Sequence, residues 1–225
     1  AAESLSPDTR LATATRLRRQ LAPEMAAAAM EMALLRQRAT RKFSRADRMF
    51  FTRDGLEQAT AEPVAAHRAG RYAAAGISSV ADLGCGIGGD ALALAATGAE
   101  VIAIDKEWVS VALTRENAVA CDVGERVHPV LADLTELSAL PMGAFFFDPA
   151  RRTPTGPRLA PGRRLHSAEE YRPPLSFIDT WRPRVPDGAV KVGPGIDYAD
   201  LPDDAEAEFV SLDGDVREAV LWFGA

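Results

Sequence analysis

From Ser79 to the end of the chain, short apolar runs alternate with segments whose apolar residues recur at helical spacing. This pattern predicts strands near 79–83, 100–105, 127–131, 144–147, 188–192, 207–212 and 217–223. Helices are predicted near 88–97, 108–120 and 174–181. Strands separated by helices pair in parallel with helices covering both faces, so the prediction is an α/β domain with a seven-stranded, mainly parallel sheet. The last two strands are joined by only a few residues around Asp-Gly-Asp and must form an antiparallel hairpin. The run FFF at Phe145–Phe147 reads as a strand buried on both faces, because such strands lack alternation.

The N-terminal part is patterned differently. SPDTRLATATRLRRQ has a Ser-Pro-Asp helix start, and PEMAAAAMEMALLRQRATRKF places proline in a first turn followed by helix formers. An aromatic and charged loop, FSRADRMFFTRDGLEQAT, precedes a third helix in AEPVAAHRAGRYAAAG. The organisation expected is an N-terminal helical extension with a covering loop over residues 1–75, then the α/β domain over 76–225. No internal repeat is visible, and RRTPTGPRLAPGRR at 151–164 lacks apolar periodicity and is expected to be a loop. The chain opens without methionine and stops just after the run AVLWFG, so a fragment of a longer protein is expected.

Composition narrows the picture modestly. The 225 residues are 47% apolar, enough for one substantial core. No apolar run reaches the roughly 18 residues of a membrane span, and the start lacks the features of a signal peptide, so a cytoplasmic protein without membrane contact is expected. Cys85 and Cys121 have neither metal-ligand nor CxxC spacing, so no metal, no disulfide and no cysteine nucleophile are expected. The net charge of −6 hides an asymmetry: residues 1–53 hold 11 Lys+Arg against 5 acids, and 151–184 hold 8 Arg against 3. Two basic arms on an acidic body suit a polyanion held through phosphates. Arginines that merely solvate helix faces would look the same in sequence.

Chemistry concentrates in SSVADLGCGIGGDALALAATGAEVIAIDKEWV. Gly84, Gly86, Gly88 and Gly89 follow a strand and open a helix, which lets the backbone turn tightly against a ligand. Gly84, Gly86 and Gly89 satisfy G-x-G-x-x-G with Asp105 about twenty residues on, as in an NAD site. Asp82 decides against that reading. A pyrophosphate avoids a carboxylate at this loop, whereas a ligand carrying a sulfonium and an ammonium is drawn to it.

The stretch Asp82 to Gly88 resembles the D-x-G-x-G-x-G motif of class I S-adenosylmethionine-dependent methyltransferases, which implies a Rossmann-like fold and that cofactor. By the resemblance the loop Gly84, Cys85, Gly86 and Gly88 passes along the methionine part. Asp105 with its neighbour Lys106 lies at the ribose, and Asp133 with Leu134 at the adenine. FFFDPARR then resembles the [DNS]-P-P-[aromatic] motif of amino-methyltransferases, making Asp148 and Pro149 the catalytic pair that holds an exocyclic amine. The match is partial, with Ala150 and Arg151 in place of the second proline and the aromatic.

From Phe43 to Pro149 the chain also resembles the RNA cap trimethylguanosine synthases, in its Phe-Ser-Arg opening, a threonine before the third helix, and the His67 and Arg71 spacing. As a whole it resembles bacterial methyltransferases that continue into a C-terminal THUMP-like domain. These resemblances imply an RNA substrate, with guanine N2 the first acceptor to consider and Thr60 a cofactor contact. Phe50, Phe51, Arg151 and Arg152 are the candidates for substrate binding. Each has a plainer alternative: Phe50 and Phe51 as core, Thr60 as a helix cap, His67 as a packing residue without an acid partner. A second chemistry comes from Asp148, Lys191 and Glu218, which fall near three positions of the Lys-Asp-Lys-Glu set of ribose 2′-O-methyltransferases. Lys42 fits the first position poorly, and Lys191 reads equally as a strand-end lysine near solvent. A non-catalytic RNA-binding module with this fold is the third possibility. Nothing in the sequence fixes the oligomeric state.

Overall fold

The computed structural model describes residues 7–149 and 171–224. Arg151, Arg152 and the 151–164 loop therefore lie outside the described residues. The N-terminal part forms α1 (Pro7–Gln20), α2 (Pro23–Ala39), a short α3 (Arg53–Gln58) and α4 (Glu62–Ala74). Then come β1 (Ser79–Leu83), α5 (Gly89–Ala96), β2 (Glu100–Asp105), α6 (Trp108–Ala120), β3 (Val127–Leu131) and β4 (Ala144–Phe147). The chain closes with β5 (Gly188–Val192), β6 (Glu206–Leu212) and β7 (Asp215–Phe223).

One sheet joins all seven strands in the order β3-β2-β1-β4-β5-β7-β6. The first five strands in that order run parallel, and β7 pairs antiparallel with both β5 and β6. β1 lies between β2 and β4, so the chain reverses its direction of travel across the sheet at β1 and β4. In open α/β sheets the crevice outside the carboxyl ends of the strands at such a switch is the ligand site. Both Asp82 near the end of β1 and Asp148 after β4 fall there.

The run FFF is inaccessible on both faces, Phe145, Phe146 and Phe147 all being 0% exposed. Two cores explain it. One face packs Leu35, Phe43, Phe51, Tyr72 and Ala91 against Val80, Phe146 and Val220. The other packs Tyr171, Ile178 and Trp181 against Phe145, Phe147 and Leu221. The N-terminal segment from Leu35 onward thus shares a core with the sheet.

Two expectations need revision. The 43–60 stretch, expected as a loop, contains α3, because the Thr52 side chain accepts from the Gly55 amide at 3.0 Å and caps it. The 174–181 segment is a 3-10 helix, Leu175–Thr180, not an α-helix. Pro173, Pro174 and Pro183 bracket it too closely for a longer α-helix to propagate. Its covering role is intact, with Trp181 Nε1 donating to the Leu137 carbonyl at 3.0 Å. At the other end of the sheet, Asp213 and Gly214 both take positive φ, +56° and +84°, the geometry of a two-residue hairpin turn. Among the described residues no helix is long and apolar enough to cross a membrane.

Candidate functional site

The glycine loop between β1 and α5 is held by its neighbours. The amides of Gly84 and Cys85 donate to the Ile104 carbonyl at 2.8 and 3.0 Å. The Gly86 amide donates to Asp105 Oδ2 at 3.0 Å, and Thr114 Oγ1 donates to the Gly86 carbonyl at 3.1 Å. Gly84 has φ +88°, and a Cβ there would stand 2.8 Å from the Asp148 carbonyl oxygen. Only glycine lets the loop pass this close to the chain leaving β4.

Asp82, Asp105 and Asp133 line the same cleft as this loop. Asp82 is 1% exposed, and its Oδ2 has no hydrogen-bond partner among the described residues. Burial raises its pKa to about 7, the Asp148 charge adds to the rise, and the Arg68 guanidinium opposes it. A buried carboxylate oxygen without a donor is costly unless a ligand supplies one. An ammonium would do so. Asp105 is also raised, chiefly by burial, while the Glu107 and Gly86 amides pull it down. Each of its oxygens accepts one amide, Oδ1 from Glu107 at 2.9 Å, and each keeps a lone pair for a ribose hydroxyl. Asp133 is exposed and caps the turn Leu134–Glu136 through the Thr135 amide and hydroxyl at 2.9 and 2.7 Å. Leu134 is buried beside it and Lys106 is exposed. Cys85 lines the cleft, buried with its thiol pKa pushed up, and is an unreactive group.

Across the cleft, the Asp148 amide donates to the Leu83 carbonyl at 3.0 Å, and Pro149 behind it is buried. Lys191 Nζ donates to Asp148 Oδ2 at 2.6 Å and to Thr60 Oγ1 at 3.1 Å. Lys191 is 4% exposed, which corrects its reading as a lysine near solvent. It sits in GAVKV, where all five positions are buried between neighbouring strands. A charge inside an otherwise apolar buried strand was the available signal. Thr60 is not a helix cap, since Ala61 occupies that position of α4, but its hydroxyl belongs to the site.

Other expected residues are placed elsewhere. Phe51 is 3% exposed and packs on Phe43, in the core and not on a substrate-facing surface. Phe50 is half-buried under the Arg36 guanidinium, its backbone tied to Asn117, and it does not line the cleft. His67 has an acid partner after all: its Nε2 lies 2.6 Å from Glu208 on the outer strand. Glu218 is buried and accepts from Arg68, which also pairs with Asp90 and lies over the Phe146 ring. Lys42 Nζ donates to the carbonyls of Leu56, Glu57 and Ala59 at 2.8, 2.9 and 2.7 Å, using all three hydrogens to hold the turn that presents Thr60. Its pKa is lowered by burial and by the nearby Lys191 charge. Among the described residues no cluster of His, Cys, Asp or Glu could hold a metal ion.

One continuous cleft collects Thr60, Asp82, Gly84–Gly86, Asp105, Asp148 and Lys191. Residues 80–147 match the family model described as a methyltransferase domain. Over 209 residues the chain is 34% identical to an uncharacterized S-adenosylmethionine-dependent methyltransferase of Mycobacterium tuberculosis, found in two strains, with 86% of this chain aligned. The α/β domain has the class I methyltransferase fold. The chain spans about half of those relatives, 52% of their length. A candidate methyltransferase from Porphyromonas gingivalis W83 superposes over 98% of this chain and 59% of its own, with a TM-score of 0.74 at 20% identity. The magnesium protoporphyrin IX methyltransferase of Synechocystis PCC 6803, solved with bound S-adenosylmethionine, superposes over 72% of this chain and 77% of its own, with a TM-score of 0.52 at 15% identity. Both superpositions show the methyltransferase fold. Residues 1–39, α1 and α2, match a separate family model, a domain of unknown function. The unsatisfied Asp82 oxygen and the Gly84 cradle fit S-adenosylmethionine, the cofactor of the methyltransferase domain.

Proposed function

We propose that the protein transfers a methyl group from S-adenosylmethionine to RNA, and that the acceptor is a hydroxyl, the ribose 2′-OH, presented at Asp148 and Lys191. The observation that carries this reading is the 2.6 Å contact between Lys191 Nζ and Asp148 Oδ2 on the cleft wall. The cofactor supplies an electrophilic methyl carbon on its sulfonium. Asp82 takes its ammonium, the loop Gly84–Gly88 lies along its methionine part, Asp105 and Lys106 hold the ribose, and Asp133 and Leu134 flank the adenine. The N-terminal segment through residue 75, with Thr60 held by Lys191 and the turn before it held by Lys42, covers that side of the cleft.

Guanine N2 is the competing acceptor, and the geometry supports it less. An exocyclic amine needs two acceptor oxygens aimed at its N–H groups, one from the acid and one from the backbone. Here Asp148 Oδ2 already accepts from Lys191, and the Asp148 carbonyl points at Gly84. The aromatic platform of the amine enzymes is replaced by Arg151. A lysine and carboxylate in contact instead suit a hydroxyl: Lys191 fixes one oxygen, and the other is left to take the hydroxyl hydrogen as the bond to carbon forms. RNA as the substrate class is supported by the basic N-terminal arm, with Arg10, Arg18 and Arg19 exposed along α1, and by the motif resemblance of residues 43–149 to the RNA cap trimethylguanosine synthases.

Single-turnover transfer from methyl-labelled cofactor into RNA, followed by nucleoside digestion, tests the proposal. Asp148→Ala should lower transfer by about two to four powers of ten with cofactor affinity nearly unchanged. Lys191→Met should be comparably damaging, and the label should reside on ribose. Label on guanine N2 with an active Lys191→Met enzyme would overturn the hydroxyl assignment. Failure of the wild-type protein to bind S-adenosylmethionine would instead mark a non-catalytic module.

A further inference from the structure

Phe50 and Phe51 do not line the cleft, and among the described residues no other aromatic side chain of the N-terminal segment does. Phe209 on β6 does. The β6–β7 hairpin overhangs the parallel strands, since β5 ends at Val192 opposite Ala219 while β7 begins four residues earlier, at Asp215. Its tip therefore projects past the carboxyl end of β5, the ligand end of the sheet. Phe209 and Ser211 point to one face of β6, and Val216, paired with Ser211, lies on the same face of β7. The irregularity at Val210/Ser211 brings Val216 diagonal to Phe209. Phe209 is 45% exposed and Val216 52% exposed, and both line the cleft that holds Asp148 and Lys191.

A single exposed apolar side chain on a protein surface is ordinary. Two adjacent ones on the wall of a cleft are a different case, because water must be displaced from both when a flat ligand enters. The neighbouring cation narrows the ligand. Arg217 lines the cleft beside Val216, it and Asp215, 3.4 Å away, are both exposed, and its charge reaches Lys42. Arg41 and Arg172 line the same cleft. An apolar platform with cations beside it matches a nucleobase with its phosphate.

We propose that Phe209 and Val216 form a stacking platform for a nucleotide of the RNA acceptor, with Arg217 at the adjoining phosphate. The inference rests on the RNA reading above and extends it to a second subsite. The strand order puts β7 two steps and β6 three steps from β4, about 10 Å and about 14 Å at the usual strand spacing. That separation is too large for the nucleotide being methylated. The platform therefore takes a flanking base, positions the strand and sets which neighbouring nucleotide is accepted.

Binding of the full-length protein to a fluorescently labelled single-stranded oligouridylate, followed by anisotropy over a range of salt, tests it. Phe209→Ala should weaken binding by at least about five-fold. Phe209→Tyr should restore it, and neither change should alter the dependence on salt. Arg217→Gln should reduce the slope of log affinity against log salt by about one. Affinity for S-adenosylhomocysteine should stay at the wild-type value in all three, which separates loss of the platform from loss of the fold. If wild type binds RNA and Phe209→Ala binds within about two-fold of it, the platform is wrong and the RNA reading stands. If the wild-type protein binds no RNA at low salt, both fall.

Discussion

Asp82 should make cofactor affinity depend on pH, and the structure gives the size of the effect. Burial and the Asp148 charge hold its pKa near 7, against 3.8 for an ordinary aspartate. At 1.36 kcal/mol per pH unit the ionised form is about 4 kcal/mol less favourable in the folded protein than in water. The raised value means that the folded state binds the proton more tightly than the unfolded state. Stability of the cofactor-free protein should accordingly fall as pH rises from about 4 to about 7, and stay level above. A cationic ligand reverses the preference at this oxygen. A charge-assisted hydrogen bond worth about 1.5 to 3 kcal/mol lowers the pKa of Asp82 in the complex by about one to two units. Binding then releases a proton, and affinity for S-adenosylmethionine should rise about six- to twenty-fold between pH 5.5 and 7.5. Calorimetry in two buffers of different ionisation enthalpy would count the proton directly. Asp82→Asn should remove the share of the pH dependence that Asp82 supplies and leave only what Asp105, raised in the same direction, contributes. The variant should bind about 10- to 100-fold more weakly at pH 8 while melting at a higher temperature than wild type there. Wild-type affinity that is flat across this range, or an asparagine variant that keeps the full slope, would refute the role given to Asp82.

Two further expectations concern the loop and its partners. Gly84→Ala puts a methyl 2.8 Å from the Asp148 carbonyl oxygen at φ +88°, so it should cost about 1 to 3 kcal/mol of stability and slow transfer by shifting Asp148; a thermal melt within about 0.5 kcal/mol of wild type would contradict this. Asp105→Ala removes the acceptor of the Gly86 and Glu107 amides and should weaken S-adenosylmethionine and S-adenosylhomocysteine by about 1 to 3 kcal/mol, measured by calorimetry, with NAD weaker throughout.

The α/β architecture was legible because its signals are local. Strand edges at 79–83, 100–105, 127–131, 144–147 and 188–192 agree with the observed elements residue for residue, each strand being a short apolar run bounded by turn residues. The antiparallel hairpin followed from the short Asp-Gly turn. What failed was also local in origin. A six-residue helix capped by Thr52 leaves too little periodicity to be seen, and prolines around 174–183 decide between two helix types that share their sequence signal.

The chain by itself determined the glycine loop and the acids at the strand ends, since these are fixed by position along the sequence and by the turn they must make. It left the acceptor site open. Phe50 and Phe51 look alike beside Phe209 in sequence, yet packing hides Phe51 in the core, pins Phe50 under Arg36 and leaves Phe209 on the cleft wall. Lys191 and Asp148 are 43 residues apart in the chain and 2.6 Å apart in the fold. That contact depends on β4 and β5 lying side by side and on burial that turns the lysine inward. No local pattern encodes which strands become neighbours; the sheet order does, because it is set by long-range burial of both faces at once.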